Sequence, residues 1–343
     1  RDPERVKILL DLAEARYRAQ GPRDRAAAAR EVEALAKEAL AMGCMEHARL
    51  GFHVVSFLRW EGGDWSDAQR QILRAEQVSR SADAGERVVA LAEAARCLTL
   101  LERDLGHAEA LVLEAEALAT RLGTEPAAIP DAVGMLRLHQ GELDAAAERF
   151  LHARELCRRE QDRLGEFRAL EHLAVLEIQR HRHDEARRLS DELVEIGERL
   201  GEGSEAPYAH ALAALCRYEE TADAADGLDA ALAALRVADA KQRLVHVLLS
   251  AAEIDLERGA NAAARTRAAE ALDLSLVLER PSDTVLARIA LARAAGREGD
   301  ADVARRQREY LQGAALRGVS AQARAAAMAL EATAAPARRS GKR

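Results

Sequence analysis

The chain has 343 residues, of which 49% are hydrophobic and 31% charged but only 3% aromatic, and it carries a formal net charge of −8 with an isoelectric point near 5.8. Acidic and basic residues alternate along it, so it lacks the basic face that phosphate neutralisation needs, and no nucleic-acid contact is expected from this chain. No apolar run approaches the roughly 18 residues that span a bilayer, so no membrane partner is expected either.

Ala and Leu, the strongest helix formers, supply most of the apolar count, and strand-like runs of Val, Ile and Thr are absent, which predicts an all-α fold. The prolines Pro22, Pro126, Pro130, Pro207 and Pro281 fall at predicted joints between helices, where a helix must start or stop. The start, Arg1-Asp2-Pro3-Glu4, carries neither an initiator Met nor an apolar leader; the expectation is a cytoplasmic piece of a longer protein.

A repeat runs along the chain. It is clearest from Gly134 to Ala153, where Gly134, Gly141, Leu143, Ala146, Phe150 and Ala153 mark a helix, a turn and a second helix. The small turn-side residue recurs at Ala28, Ala68, Ala108, Ala146, Ala186, Ala224, Ala264 and Ala304, at intervals of 38 to 40 residues. Ala seats the second helix against the first, because a larger side chain would push them apart. Asp67, Asp144 and Asp184, each near the start of a second helix, are placed to cap its amides and favour its dipole.

This pattern resembles the tetratricopeptide (TPR) helix-turn-helix motif. The resemblance implies a right-handed superhelical solenoid of about eight helix-turn-helix repeats with a C-terminal capping helix, since a single pair cannot bury its apolar stripe alone. It departs from the common motif in its longer repeat and in carrying Arg59, Thr99, Arg137 and Glu177 where an aromatic is usual. The repeats around Ala28 and Ala224 are the weakest matches. The expected boundaries are a repeat array over 3–317, a capping helix over 318–335 and a disordered basic tail over 336–343.

Long Ala- and Leu-rich repeats of this kind look like the sensor arms of bacterial STAND-class ATPase regulators, among them LuxR-type activators and ATPase-linked cyclases and kinases. That resemblance implies a non-catalytic domain that binds a protein, a peptide or a small-molecule inducer in its concave groove. The alternatives are an assembly scaffold that forms homo-oligomers and the regulatory arm of an enzyme whose catalytic domain lies elsewhere. No GxxxxGK[ST], HExxH or GxSxG motif is present, so the chain is read as no enzyme and no cofactor is expected.

In TPR superhelices the first helix of each pair lines the groove at 15, 14, 11, 8 and 7 residues before the turn-side Ala. Carried over, those offsets place His53, Phe57 and Trp60 in the second repeat, Glu93 in the third, Met135 and His139 in the fourth, and Glu171 and His172 in the fifth. His210 and Arg217 follow in the sixth, and Glu253 in the seventh. Phe57, Trp60 and Met135 are the expected apolar anchors, and the histidines and Arg217 the expected polar selectors. The competing reading is that each aromatic simply fills a gap between repeats. His181-Arg182-His183 falls in a turn; two histidines there rarely complete a metal site without help from a carboxylate or thiolate, so no metal is expected. Cys44, Cys97, Cys157 and Cys216 lie far apart and read as reduced thiols packed as small hydrophobes.

Overall fold

The computed structural model describes residues 25–201, 203–312 and 316–334, and sixteen α-helices with no strand make up its regular structure apart from one short 3-10 helix. α1 (Arg25–Ala41) precedes seven helix pairs: α2 (Met45–Gly62) with α3 (Trp65–Ser79), α4 (Ala84–Leu100) with α5 (Leu105–Leu122), α6 (Ala128–Gln140) with α7 (Leu143–Glu160), and α8 (Arg163–Gln179) with α9 (His183–Leu200). α10 (Glu205–Glu220) with α11 (Ala225–Val237), α12 (Lys241–Arg258) with α13 (Asn261–Val277), and α14 (Pro281–Glu298) with α15 (Ala301–Tyr310) complete the series. A last helix, α16 (Ala321–Ala334), packs on α14. The chain is an all-α, TPR-like solenoid. The partner helix of α1 and the basic tail, both expected from the sequence, fall outside the described residues.

Small residues set the helix-to-helix distance within each pair. Ala68, Ala108, Ala146, Ala186, Ala264 and Ala304 each occupy the fourth position of a second helix, and all are buried. Gly134 allows the closest approach, since a Cβ there would stand 2.5 Å from the Phe150 ring. Gly141 ends α6 with φ 83°, a left-handed conformation that costs glycine nothing. Asp67, Asp144 and Asp184 occupy first turns as expected, but the cap of α3 is the earlier Asp64, whose carboxylate accepts the Asp67 amide.

The pair α10–α11, the sixth repeat of the sequence, departs from the pattern. α10 ends at Glu220, a 3-10 turn spans Ala222–Ala224, and α11 begins only at Ala225. The fourth residue of α11 is the fully buried Leu228, so Ala224, in the 3-10 turn, does not hold the turn-side position assigned to it. The inserted turn breaks the register by which the groove face of α10 was assigned.

First helices also meet first helices, α4 with α6, α10 with α12 and α12 with α14, and so form one continuous inner wall. That wall curves until successive turns of the superhelix touch. Arg25 on α1 reaches Asp239 before α12 at 2.9 Å, and Ser204 before α10 donates to Glu61 at the end of α2 at 3.3 Å. Arg280 before α14 donates to the Leu100 carbonyl at 2.7 Å and pairs with Glu102, whose carboxylate in turn accepts the Ser282 amide at 2.8 Å. α16 closes on α6, where a Cβ at Gly141 would stand 2.7 Å from that of Ala321.

Candidate functional site: the interior groove

Because the first helices face inward and the turns touch, the concave side is a deep groove of about 1180 Å³. Nine predicted residues line it: His53, Phe57, Trp60, Glu93, Met135, His139, Glu171, His172 and Glu253. Phe57 is the most open of the apolar ones at 37% exposure, and it leans on Trp60, which meets Trp65 edge-on at 5.9 Å. Met135 is largely buried and contributes only its edge.

His210 and Arg217 do not line the groove. Each residue turns an α-helix by about 100°, and both stand two residues after an inward-facing residue, Tyr208 or Leu215, which carries their side chains to the far side. After the inserted turn the inward stripe of α10 is Tyr208, Leu215 and Glu219. His210 stands outside beside Glu198 at 3.3 Å, and Arg217 is exposed.

Most polar groups on the wall are already tied to one another. Glu93 receives Arg49 at 3.2 Å and His53 at 2.9 Å; burial pushes its carboxyl up, but His53, Arg49 and Arg96 outweigh this and hold it at about 2. His172 bonds Asp131 at 3.0 Å and rests on the Phe150 ring, centroids 4.8 Å apart. Glu171 pairs with Arg243 at 2.8 Å, and Glu253 with Arg293. His139 and His246 are both held below the ordinary imidazole range, first by burial, so at neutral pH they enter the groove uncharged. His246 shares a hydrogen bond of 3.0 Å with the Tyr208 hydroxyl.

Arg168 is the exception. It lines the groove, yet no hydrogen bond or ion pair joins it to another described side chain. Burial and then the like charge of Arg96 depress its guanidinium below the usual range. Asp131 and Glu93, which oppose that depression, are already engaged by His172, His53 and Arg49, and Arg96 stands 3.7 Å from Asp131. The groove wall thus carries two guanidinium groups with less than their share of counter-charge.

The offsets taken from the sequence missed Arg168 and His246. Both lie 18 residues before their turn-side Ala, one helical turn beyond the range used, as does Leu50, which also lines the groove. The signal was present in the length of the repeat, which lengthens the first helices and extends the lining by a turn.

No protein-family model matches the sequence, and no curated protein matches it. Solved structures share its fold. A Rap protein complexed with competence and sporulation factor is 12% identical with a TM-score of 0.57, over 96% of this chain and 98% of that one. A signal transduction ATPase with numerous domains, a STAND protein with a tetratricopeptide repeat sensor from Pyrococcus horikoshii, is 14% identical with a TM-score of 0.51, over 93% of this chain. Only 50% of the archaeal chain is covered, so the present chain spans about half of its length.

Proposed function

We propose that the chain is a non-catalytic sensor and interaction domain that takes a peptide bearing an acidic group along its interior groove. The observation that carries this reading is the pair Arg96 and Arg168 on the groove wall, cationic and short of counter-charge, in a groove that also exposes the apolar face of Phe57. A half-buried guanidinium without a partner is poorly solvated, and a ligand carboxylate would relieve that cost in the bound state alone. The volume, about 1180 Å³, exceeds what a drug-sized ligand fills and suits a short extended peptide. The Rap protein of this fold was solved with competence and sporulation factor, and the STAND protein carries its repeats as a sensor; both support a regulatory binding role.

The test is fluorescence anisotropy with labelled peptide pools matched in length and apolar content but differing in charge. Acidic pools are expected to bind, and Arg168→Ala to weaken binding at least about tenfold, the lower range for a charged contact. Arg217→Ala, on the outer face, is expected to leave binding unchanged. Equal binding of acidic and basic pools, or indifference to Arg168→Ala, would overturn the reading.

A further inference from the structure

The turn between α8 and α9 holds a feature that peptide binding does not use. His181 follows α8 with φ 55°, at the position where the corresponding turns before α3, α7, α13 and α15 have glycine. Gln161, Asp239 and Glu279 take the same left-handed conformation two residues before their helices, so the backbone there accepts a side chain, and at this turn the side chain is an imidazole. His183 opens α9 two residues later, and the two rings lie 6.2 Å apart between centroids, inclined at 62°.

The third group comes from the next pair. Glu219, in the last turn of α10, brings its Oε2 to 2.8 Å from His183 Nδ1. One ligand atom from each of His181, His183 and Glu219 falls within 4.8 Å of the others. Two imidazole nitrogens and a carboxylate oxygen are a donor set for Zn²⁺ and its late-transition neighbours, and they would need to close to about 3.3 Å apart around a tetrahedral ion with bonds near 2.0–2.2 Å. Side-chain rotation alone supplies that movement, because both histidines are exposed. The nearby cations are already engaged, Arg187 with Glu220 at 2.9 Å and Arg182 with Glu177 at 3.5 Å.

We propose that His181, His183 and Glu219 form a binding site for a divalent ion of the Zn²⁺ class that ties the pairs α8–α9 and α10–α11 together at the rim of the groove. The ion would stand between His183 and Glu219 in place of their direct contact and leave its fourth position open. His181 and Glu219 also line the groove, so that open position lies at its edge. The site joins the turn between α8 and α9 to the last turn of α10, the helix that the inserted 3-10 turn follows, so its occupancy stiffens the wall beside the irregular pair.

The experiment uses the untagged full chain, stripped with a chelator and titrated with Zn²⁺ by calorimetry and with Co²⁺ by visible absorption. One equivalent is expected to bind, with a d–d band from Co²⁺ and a rise in melting temperature that grows with free Zn²⁺. His181→Ala and Glu219→Gln are each expected to weaken binding at least about tenfold, since even residues behind the ligands cost that much. His210→Ala, an exposed histidine paired with Glu198, serves as the control and is expected to change nothing. Circular dichroism shows that each variant is folded. If Zn²⁺ does not saturate, or the double variant His181→Ala/His183→Ala binds it as tightly as the parent, the proposal fails and the cluster is an ion pair alone.

Discussion

Neighbouring helix pairs are held almost wholly by apolar packing, whereas successive superhelical turns add specific polar contacts to it. Within a turn, pairs meet through alanines and leucines, as where Phe150, Phe167, Leu170 and Leu193 join one continuous core. Between turns, helix ends add charged and polar contacts, Arg25 with Asp239, Ser204 with Glu61, and Arg280 with Leu100 and Glu102, to apolar ones such as Gly63 against Val277 and Leu278. Apolar packing is non-directional and tolerates exchange of similar side chains, whereas the seam depends on a few specific donors and acceptors. The repeat stack therefore builds the wall, and the seam decides that the wall closes into a deep groove.

The largest effect should come from the seam. Arg280→Ala leaves Glu102 and Asp283 without their partner in a nearly buried setting, and a loss of about 3–5 kcal/mol in urea denaturation is expected. A loss below about 1 kcal/mol would mean that the turns stack without needing the seam, and the contrast would dissolve.

The wall has a polar clasp of its own, in which Arg49 and His53 from α2 hold Glu93 on α4. Glu93 sits at about 2 against its ordinary 4.5. A carboxylate depressed in the folded state stabilises above the unfolded value and loses that stabilisation as pH falls through the folded one. Stability is thus expected to drop by something on the order of 3 kcal/mol between about pH 4.5 and pH 2, and Glu93→Gln to flatten that part of the profile. Melting temperatures recorded across that window provide the check.

Apolar seating within a pair is the third comparison. Ala146→Leu overpacks the contact between α6 and α7 and is expected to cost about 1–3 kcal/mol, read as a lower urea midpoint at unchanged slope. If Leu is accommodated there without loss, the small residue at that position is not what sets the spacing of the pair.

Most of the repeat stack was legible because it is local. Ala68, Ala146, Ala186 and Ala264 recur at the same helix position, and the glycine turns before α3, α7, α13 and α15 end their helices where the pattern places them. Nine groove residues followed from that register by fixed offsets. The sixth repeat was misread because Ala224 continues the spacing numerically while the chain has a 3-10 turn there, so offsets counted back from it fall on His210 and Arg217, two residues off the inward Tyr208 and Leu215. Arg168 and His246 were missed one helical turn beyond the offsets used.

The sequence by itself determined the helices, their pairing and the side of each regular helix that faces inward, because helix propensity, glycine conformation and alanine packing act over a few residues. Only the tertiary structure decided which distant groups meet: Arg280 with Glu102, Gly141 with Ala321, and Glu219 with His181 and His183. Those encounters depend on the accumulated curvature of many small inter-repeat rotations, and no short stretch of sequence encodes that sum.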